Sequence, residues 1–195
     1  MDGHVIAGWE LGARLYVPGL GSCECVSEGC ENCYAEARDR RYHAGQHWGP
    51  KARTPRKLMS NAYWRQPAAW NRRAERLGVP LKVFCSSLAD VFEDHPDVGP
   101  ARARLWKTIM DTPYLIWMLL TKRPANIRRL CPPAWLEAWP DRVWIGTSVE
   151  NQRWADIRIP LLLKVPAPVL FLSVEPLLGP VTLWLDGIGW VIVGG

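Results

Sequence analysis

Short runs of apolar residues separated by polar clusters recur along the chain from its middle onward. One run ends at Phe84, and four more cover residues 114–120, 143–145, 169–172 and 190–193. These runs are apolar at nearly every position, whereas a strand with one solvated face alternates apolar and polar residues. The pattern therefore predicts strands that are buried on both faces, as in a parallel sheet covered by helices.

Helical patterns lie between the predicted strands. The segment 67–78 ends in Gly78, a residue type that commonly terminates a helix. The segment 101–112 has a stripe of apolar side chains at helical spacing, formed by Leu105, Trp106, Ile109 and Met110. Alternating strands and helices predict an α/β fold, either a parallel (β/α) barrel or an open doubly wound sheet. We expect one such domain over residues 1–195.

Polar side chains follow the apolar runs, just past the C-terminal end of each predicted strand. They are Asp90, Lys122, Arg123, Ser148, Glu150 and Glu175. Because the carboxyl ends of parallel strands meet at one edge of a barrel or sheet, we expect these side chains to surround a common site. Glu175 is the candidate catalytic residue, because a carboxylate between the apolar segments "FLSV" and "PLLG" is costly to place without a partner.

Other strand-end residues also have purely structural interpretations. Lys122 and Arg123 would form a solvated turn, in which a surface ion pair contributes little stability. Asp90 and Glu150 would accept hydrogen bonds from the free backbone N–H groups at helix starts. The sequence alone does not distinguish these structural roles from the functional ones.

Composition and charge narrow the class of protein. With 48% hydrophobic residues and 12 tryptophans the chain is expected to be globular, and no apolar run approaches the ~18 residues that cross a bilayer. No secretory signal is visible at the N-terminus, so we expect a cytoplasmic protein without membrane partners. The net charge of +5 permits nucleic acid as a partner, although a solvated basic helix face would also explain it.

Four of the six cysteines lie in the stretch "CECVSEGCENC", residues 23–33. It offers the spacings Cys23-x6-Cys30-x2-Cys33 and Cys25-x4-Cys30-x2-Cys33. Three thiolates on a loop that leads into a helix suit an iron–sulfur cube with one open iron, whereas four would suit zinc. Unligated, reduced thiols are a third interpretation. The isolated cysteines are expected to be buried packing residues, namely Cys85 and Cys131.

Several segments carry a family resemblance. "GSCECVSEGCENCYAE", "SSLADVFED", "LLTKRP", "VWIGTSVENQ", "IPLLLKVPAPVLFLSVEPLLGP" and "WVIVGG" resemble, in order, the successive blocks of a three-cysteine-motif family of phages and prophages. That family has no characterised function and is regarded as radical-SAM-like. The resemblance implies an incomplete, TIM-like (β/α) barrel of the radical SAM type. The cysteine spacing differs from the Cys-x3-Cys-x2-Cys of most radical SAM enzymes.

The resemblance also implies a set of roles. Cys23, Cys30 and Cys33 would hold a [4Fe–4S] cluster that binds S-adenosylmethionine for radical-based modification of an unknown substrate, and Cys25 would be incidental. Glu175 would be catalytic. The residues that would contact the cofactor are Tyr34, Asp90, Lys122, Arg123, Ser148 and Glu150. Members of the family continue past the final "GG", so the resemblance implies a truncated gene product, a fragment or a split protein. In the last case a partner protein encoded nearby would supply the missing part. A phage-encoded protein would reside in the cytoplasm of a bacterial host.

A different class of function explains part of the same pattern. A zinc-stabilised nucleic-acid-binding protein without enzymatic activity would use the fourth nearby cysteine for Zn²⁺ and the basic surface for its ligand. It would have no need of Glu175 and the other polar residues at strand ends. Those residues are the feature that favours the enzyme.

Overall fold

Five parallel strands form the sheet of the protein. A computed structural model of the chain describes residues 23–50, 54–86 and 88–194. The strands are β1 (Leu81–Cys85), β2 (Leu115–Thr121), β3 (Val143–Ser148), β4 (Leu170–Val174) and β5 (Trp190–Val193). Each of the five apolar runs in the sequence contributes one strand, so the prediction of a parallel α/β sheet is confirmed.

The strands lie side by side in the order in which they occur along the chain, β1-β2-β3-β4-β5, and every neighbouring pair is parallel. The sheet curls into a half-barrel, and in the described part of the chain β1 and β5 are its edges. Over the described residues the sheet is therefore open, as in one of the two predicted architectures. The strand order does not reverse, and such an order is that of successive strands in a (β/α) barrel.

Helices precede β1 and connect the strands from β1 to β4, whereas the described segment between β4 and β5 contains no helix. The helices are α1 (Tyr34–His43), α2 (Asn61–Leu77), α3 (Val98–Met110), α4 (Ile127–Leu130), α5 (Pro133–Glu137) and α6 (Gln152–Leu162), with 3-10 turns at Glu28–Cys30 and Pro124–Asn126. Gly78 follows α2 with a φ of 66°, a left-handed conformation in which glycine has no Cβ penalty. The predicted helix end is thus confirmed, but α2 begins at Asn61, earlier than its apolar pattern indicated. None of the described helices is long and apolar enough to cross a membrane.

The two faces of the sheet carry alternate residues of each strand. The face covered by helices is the main core, where β1, β2 and β3 contribute Val83, Trp117 and Ile145, all with no exposed area. The other face carries a smaller apolar cluster centred on Met118, Phe171 and Ile192. Both faces are apolar, and this explains why the strands read as continuous apolar runs rather than alternating ones.

Most of the residues that were predicted to be buried lie in the core. Cys85 and Cys131 are buried in the main core, as predicted. Leu105 and Ile109 of α3 are also buried there, but Met110 is 50% exposed, so the predicted apolar stripe is narrower than the spacing suggested. The strand register places the polar residues after β2, β3 and β4 at one edge of the sheet, since Thr121 pairs with Thr147 and Ser148 pairs with Ser173.

Candidate functional site

A cavity of about 490 Å³ lies at the carboxyl edge of the sheet, between the strand ends and the cysteine loop, residues 23–33. Its volume is in the range of small-molecule sites. The predicted site residues that line it are Cys23, Cys30, Cys33, Tyr34, Asp90, Lys122, Arg123, Ser148 and Glu175. The structure thus brings these residues together around one cavity, and Glu150 lies just behind the cavity wall.

The cysteine loop is a tight turn that leads into α1. The backbone N–H of Cys30 donates to Ser27 O at 2.9 Å, and that of Cys33 donates to Cys30 O at 3.2 Å. Cys33 then stands at the position preceding α1, which begins at Tyr34. These bonds hold the loop together within itself, but they do not attach it to the sheet.

Glu150 attaches the loop to the sheet. Its side chain is fully buried, and Ser27 Oγ donates a hydrogen bond of 3.1 Å to its Oε1. Lys122 Nζ lies 2.5 Å from Oε1, and Arg158 Nη1 lies 2.6 Å from Oε2. Gly29 packs directly on this side chain, because a Cβ at Gly29 would overlap the Glu150 carboxylate. Both oxygens of Glu150 are therefore occupied by the protein itself.

Arg158, on α6, completes this buried ion cluster. Its side chain is 1% exposed, and Nη1 also donates to Ser148 O at 2.9 Å. Burial lowers the pKa of Arg158, and the Glu150 carboxylate opposes that shift. The guanidinium stacks over the Trp154 ring at 4.1 Å from its centroid, so the ring covers nitrogens that have no hydrogen-bond partner among the described residues. Arg158 thus holds Glu150 from the side of α6, and Ser27 holds it from the side of the cysteine loop.

Asp90 binds the end of β2 to the segment after β1. Its carboxylate accepts a hydrogen bond from Thr121 Oγ1 at 2.7 Å and others from the backbone N–H groups of Phe92 at 2.9 Å and Lys122 at 3.0 Å. Neither Asp90 nor Glu150 caps a helix, because the helix that follows Asp90 begins only at Val98 and the side chain that caps α6 is that of Asn151. The helix-start interpretation of these two carboxylates is thus replaced by hydrogen bonds that join separate segments.

Arg123 connects the strand end to the first cysteine. Its Nη1 lies 3.0 Å from Asp90 Oδ2 and 3.3 Å from Cys23 Sγ, and its Nη2 donates to Glu24 O at 3.0 Å. The side chain is only 12% exposed. Lys122 and Arg123 are therefore not a solvated turn, since both place their charge in the cavity wall.

The four thiols of the loop differ in their surroundings. Burial raises the pKa of Cys23 to about 12, although the Arg123 guanidinium opposes that shift. Burial also acts to raise the pKa of Cys30, but hydrogen bonds from Val26 and Ser27 and the charge of Lys122 outweigh it and lower the pKa. The pKa of Cys25 is raised by burial and by the nearby Cys30. Cys30 is thus the thiol that most readily ionises among these three.

The donor set suits a soft metal centre, because thiolates are the ligands that iron–sulfur clusters and zinc share. Cys23, Cys30 and Cys33 all line the one cavity. In the described residues, however, no group of three Cys, His, Asp or Glu side chains has already converged into a metal-holding arrangement. The three thiols therefore have the chemistry of metal ligands and line one cavity, without forming a ready-made metal site.

Residues 13–195 match the model of a protein family described as being of unknown function (DUF5131). The chain belongs to the DUF5131 family. The match to DUF5131 takes in the cysteine loop, all five strands and every segment that carries the family resemblance in the sequence. No curated protein and no solved structure matches the chain.

Glu175 occupies a different environment from the carboxylates already described. It follows β4, is half-buried and lines the cavity. Gly194 lies against its carboxylate, and a Cβ at that glycine would overlap Oε1. No hydrogen bond or ion pair joins this carboxylate to another residue within the described ranges. The carboxylate is consequently available to a bound molecule.

Sequence reasoning missed residues that complete the site. Ser27, Gly29 and Arg158 surround Glu150, and Thr121 orients Asp90. Only Arg158 leaves a readable signal, because an arginine inside the apolar segment "IRIPLL" of α6 needs an anionic partner wherever that segment is buried. The others are small residues whose importance comes from what they contact.

Proposed function

We propose that the protein is a radical-SAM-like iron–sulfur enzyme, associated with phages, that modifies a substrate still to be identified. The observation that carries the proposal is the single cavity shared by the thiols of Cys23, Cys30 and Cys33 and the polar residues at the strand ends. A structural metal clasp needs only its ligands. An enzyme also needs charged groups beside the metal to hold its cofactor and substrate.

Cys23, Cys30 and Cys33 would hold a [4Fe–4S] cluster. When bound, it would supply an open iron for S-adenosylmethionine and, with an external low-potential electron donor, one electron for cleavage of the sulfonium to a 5′-deoxyadenosyl radical and methionine. Arg123 orients Cys23 through its 3.3 Å contact with Sγ. Ser27 and Glu150 hold the loop in place from the other side.

The cavity wall offers groups for a charged cofactor and a substrate. Lys122 is 22% exposed and presents an ammonium group to the cavity, where a carboxylate would bind it. Ser148 and Tyr34 line the same space. Glu175 would bind or deprotonate a group of the substrate, because its carboxylate is the one at the strand ends that the described residues leave available.

The test is the metal content of protein purified without oxygen. We expect about four iron and four sulfide per chain and a reduced-state EPR signal that changes when S-adenosylmethionine is added. Cys30→Ala should abolish iron retention, whereas the matched variant Cys25→Ala should retain the iron of the wild type. Iron retained in full by Cys30→Ala, or lost only from Cys25→Ala, would contradict this ligand assignment.

One observation favours the second candidate, a zinc-stabilised nucleic-acid-binding protein. Cys25 also lines the cavity and lies near enough to Cys30 for each thiol to affect the ionisation of the other. A fourth thiolate at this place would close a zinc site. One zinc per chain without iron, released by Cys25→Ala, would replace the enzyme with this candidate.

A further inference from the structure

A second cavity of about 430 Å³ lies beside the first. It is bounded by α1 and by the segment that leads into α2, and its lining includes Arg38, Tyr42, His43, Lys57 and Tyr63. Ala35 and Leu88 line both cavities, so the two spaces are neighbours separated by these side chains. The proposed cluster chemistry uses none of the polar residues of the second cavity.

The second cavity carries an excess of positive charge. Among the described residues its one acidic lining residue is Asp39, which is already engaged. His47 Nδ1 lies 2.9 Å from Oδ1, and the His47 backbone N–H donates to Oδ2 at 3.1 Å. Lys57 Nζ contacts His43 Nε2 at the cavity wall. Within the described ranges, Arg38 forms no ion pair with a carboxylate. An anionic group of a ligand would supply a countercharge.

The aromatic residues of the cavity suit a planar ligand. Tyr42 is 62% exposed, and the guanidinium carbons of Arg38 and Arg41 lie 5.9 Å and 5.5 Å from its ring centroid. Tyr63 contributes a second ring to the lining. Exposed aromatic rings flanked by arginines are the elements with which proteins stack bases and bind the adjoining phosphates.

Basic side chains continue beyond the cavity. The other exposed arginines on the same two helices are Arg40, which pairs with Glu36, and Arg41 on α1, and Arg65, Arg72, Arg73 and Arg76 on α2. A free nucleotide would need only the cavity itself. An extended set of cations outside it matches a ligand with a repeating phosphate backbone.

We propose that the second cavity binds one nucleotide of a single-stranded nucleic acid, with its base against Tyr42 and Tyr63 and its phosphate at Arg38 and Lys57. The strand would continue past Ala35 and Leu88 and present the neighbouring nucleotide to the cavity that contains Glu175. This inference rests on the proposed function in one respect, since it names the substrate class of that enzyme. The binding itself requires neither cluster nor S-adenosylmethionine.

The test is fluorescence anisotropy of the full chain with a labelled oligothymidylate of about 12 nucleotides, over a series of salt concentrations. Tyr42→Ala should weaken binding about tenfold through the loss of one stacked base. Arg38→Ala should weaken binding and make the slope of log K against log salt shallower by about 0.7, as expected for one lost phosphate contact.

Matched controls lie at the opposite edge of the sheet. Tyr114 is 43% exposed before β2, and Lys164 is exposed after α6. Tyr114→Ala and Lys164→Ala remove the same kinds of group and should leave both affinity and salt slope unchanged. Circular dichroism of each variant would establish that it folds, which we expect because all four side chains are on the surface.

Other results of the binding experiment would contradict the proposal. Equal binding by Tyr42→Ala, Arg38→Ala and the controls, or no binding by the wild type, would overturn the inference. If thymidine monophosphate displaced the oligonucleotide at equal concentration, the cavity would bind a free nucleotide. That result would overturn the proposal that its ligand is a single-stranded nucleic acid. Because binding is read without iron or S-adenosylmethionine, either failure leaves the metal analysis standing, and an absence of iron would leave a positive binding result standing.

Discussion

Glu150 and Glu175 end the same tripeptide, Ser-Val-Glu, on two neighbouring strands. Ser148 of β3 pairs with Ser173 of β4, so the two glutamates leave the sheet at equivalent places. Glu150 is fully buried, and its oxygens are bound by Ser27, Lys122 and Arg158. Glu175 is half-buried and faces the cavity.

The difference arises from the segment after each tripeptide and from the residues around it. After Glu150, Asn151 caps α6, and that helix carries Arg158 back to the carboxylate. After Glu175 comes Pro176 and a segment without helix, while Gly194 leaves room for the carboxylate. Identical local sequences at equivalent strand ends thus produce one glutamate that holds the structure together and one that can serve a ligand.

The contrast between the two glutamates can be tested by neutralising each of them in turn. Glu150→Gln should lower the free energy of unfolding by about 3 kcal/mol, because it leaves the charge of Arg158 buried without its partner. Glu175→Gln should change it by less than about 0.5 kcal/mol, since no described ion pair is lost. Chemical denaturation measures both. Equal losses from the two variants would show that Glu175 is as structural as Glu150.

A second way is to fill the space beside Glu150. Gly29→Ala places a Cβ against its side chain and should lower the free energy of unfolding by about 2 kcal/mol through overpacking. Gly99→Ala is the matched control, because no atom lies within 4 Å of a Cβ there and alanine favours its helix. Thermal or chemical unfolding would compare them. A loss at Gly99 as large as that at Gly29 would contradict the proposed packing.

A third prediction concerns the hydrogen bond between the loop and Glu150. Ser27→Ala should lower the free energy of unfolding by about 1.5 kcal/mol, because a buried bond to a charged carboxylate is lost. In the Glu150→Gln background the same change should cost less, and a double-mutant cycle should yield a coupling above about 0.5 kcal/mol. Strict additivity of the two changes would mean that Ser27 does not act through Glu150.

Much of the candidate site could be predicted from local pattern. Apolar runs locate strands, and the topology of parallel strands brings their carboxyl ends to one edge, which is why Lys122, Arg123 and Glu175 were expected near each other. The cysteine spacing placed three thiols on a loop before a helix. The residues that support these groups could not be predicted, because Ser27 and Glu150 are 123 positions apart and their contact exists only once the loop docks on the sheet.

Local periodicity and backbone preference are sufficient to predict the parallel α/β fold, the end of α2 at Gly78 and the set of polar residues at the strand ends. They do not predict that Glu150 is enclosed and Glu175 available, or that a basic, aromatic cavity adjoins the cysteines, because these features arise when the chain folds. Burial and charge pairing depend on which distant segments meet, and two copies of Ser-Val-Glu carry no local information about that.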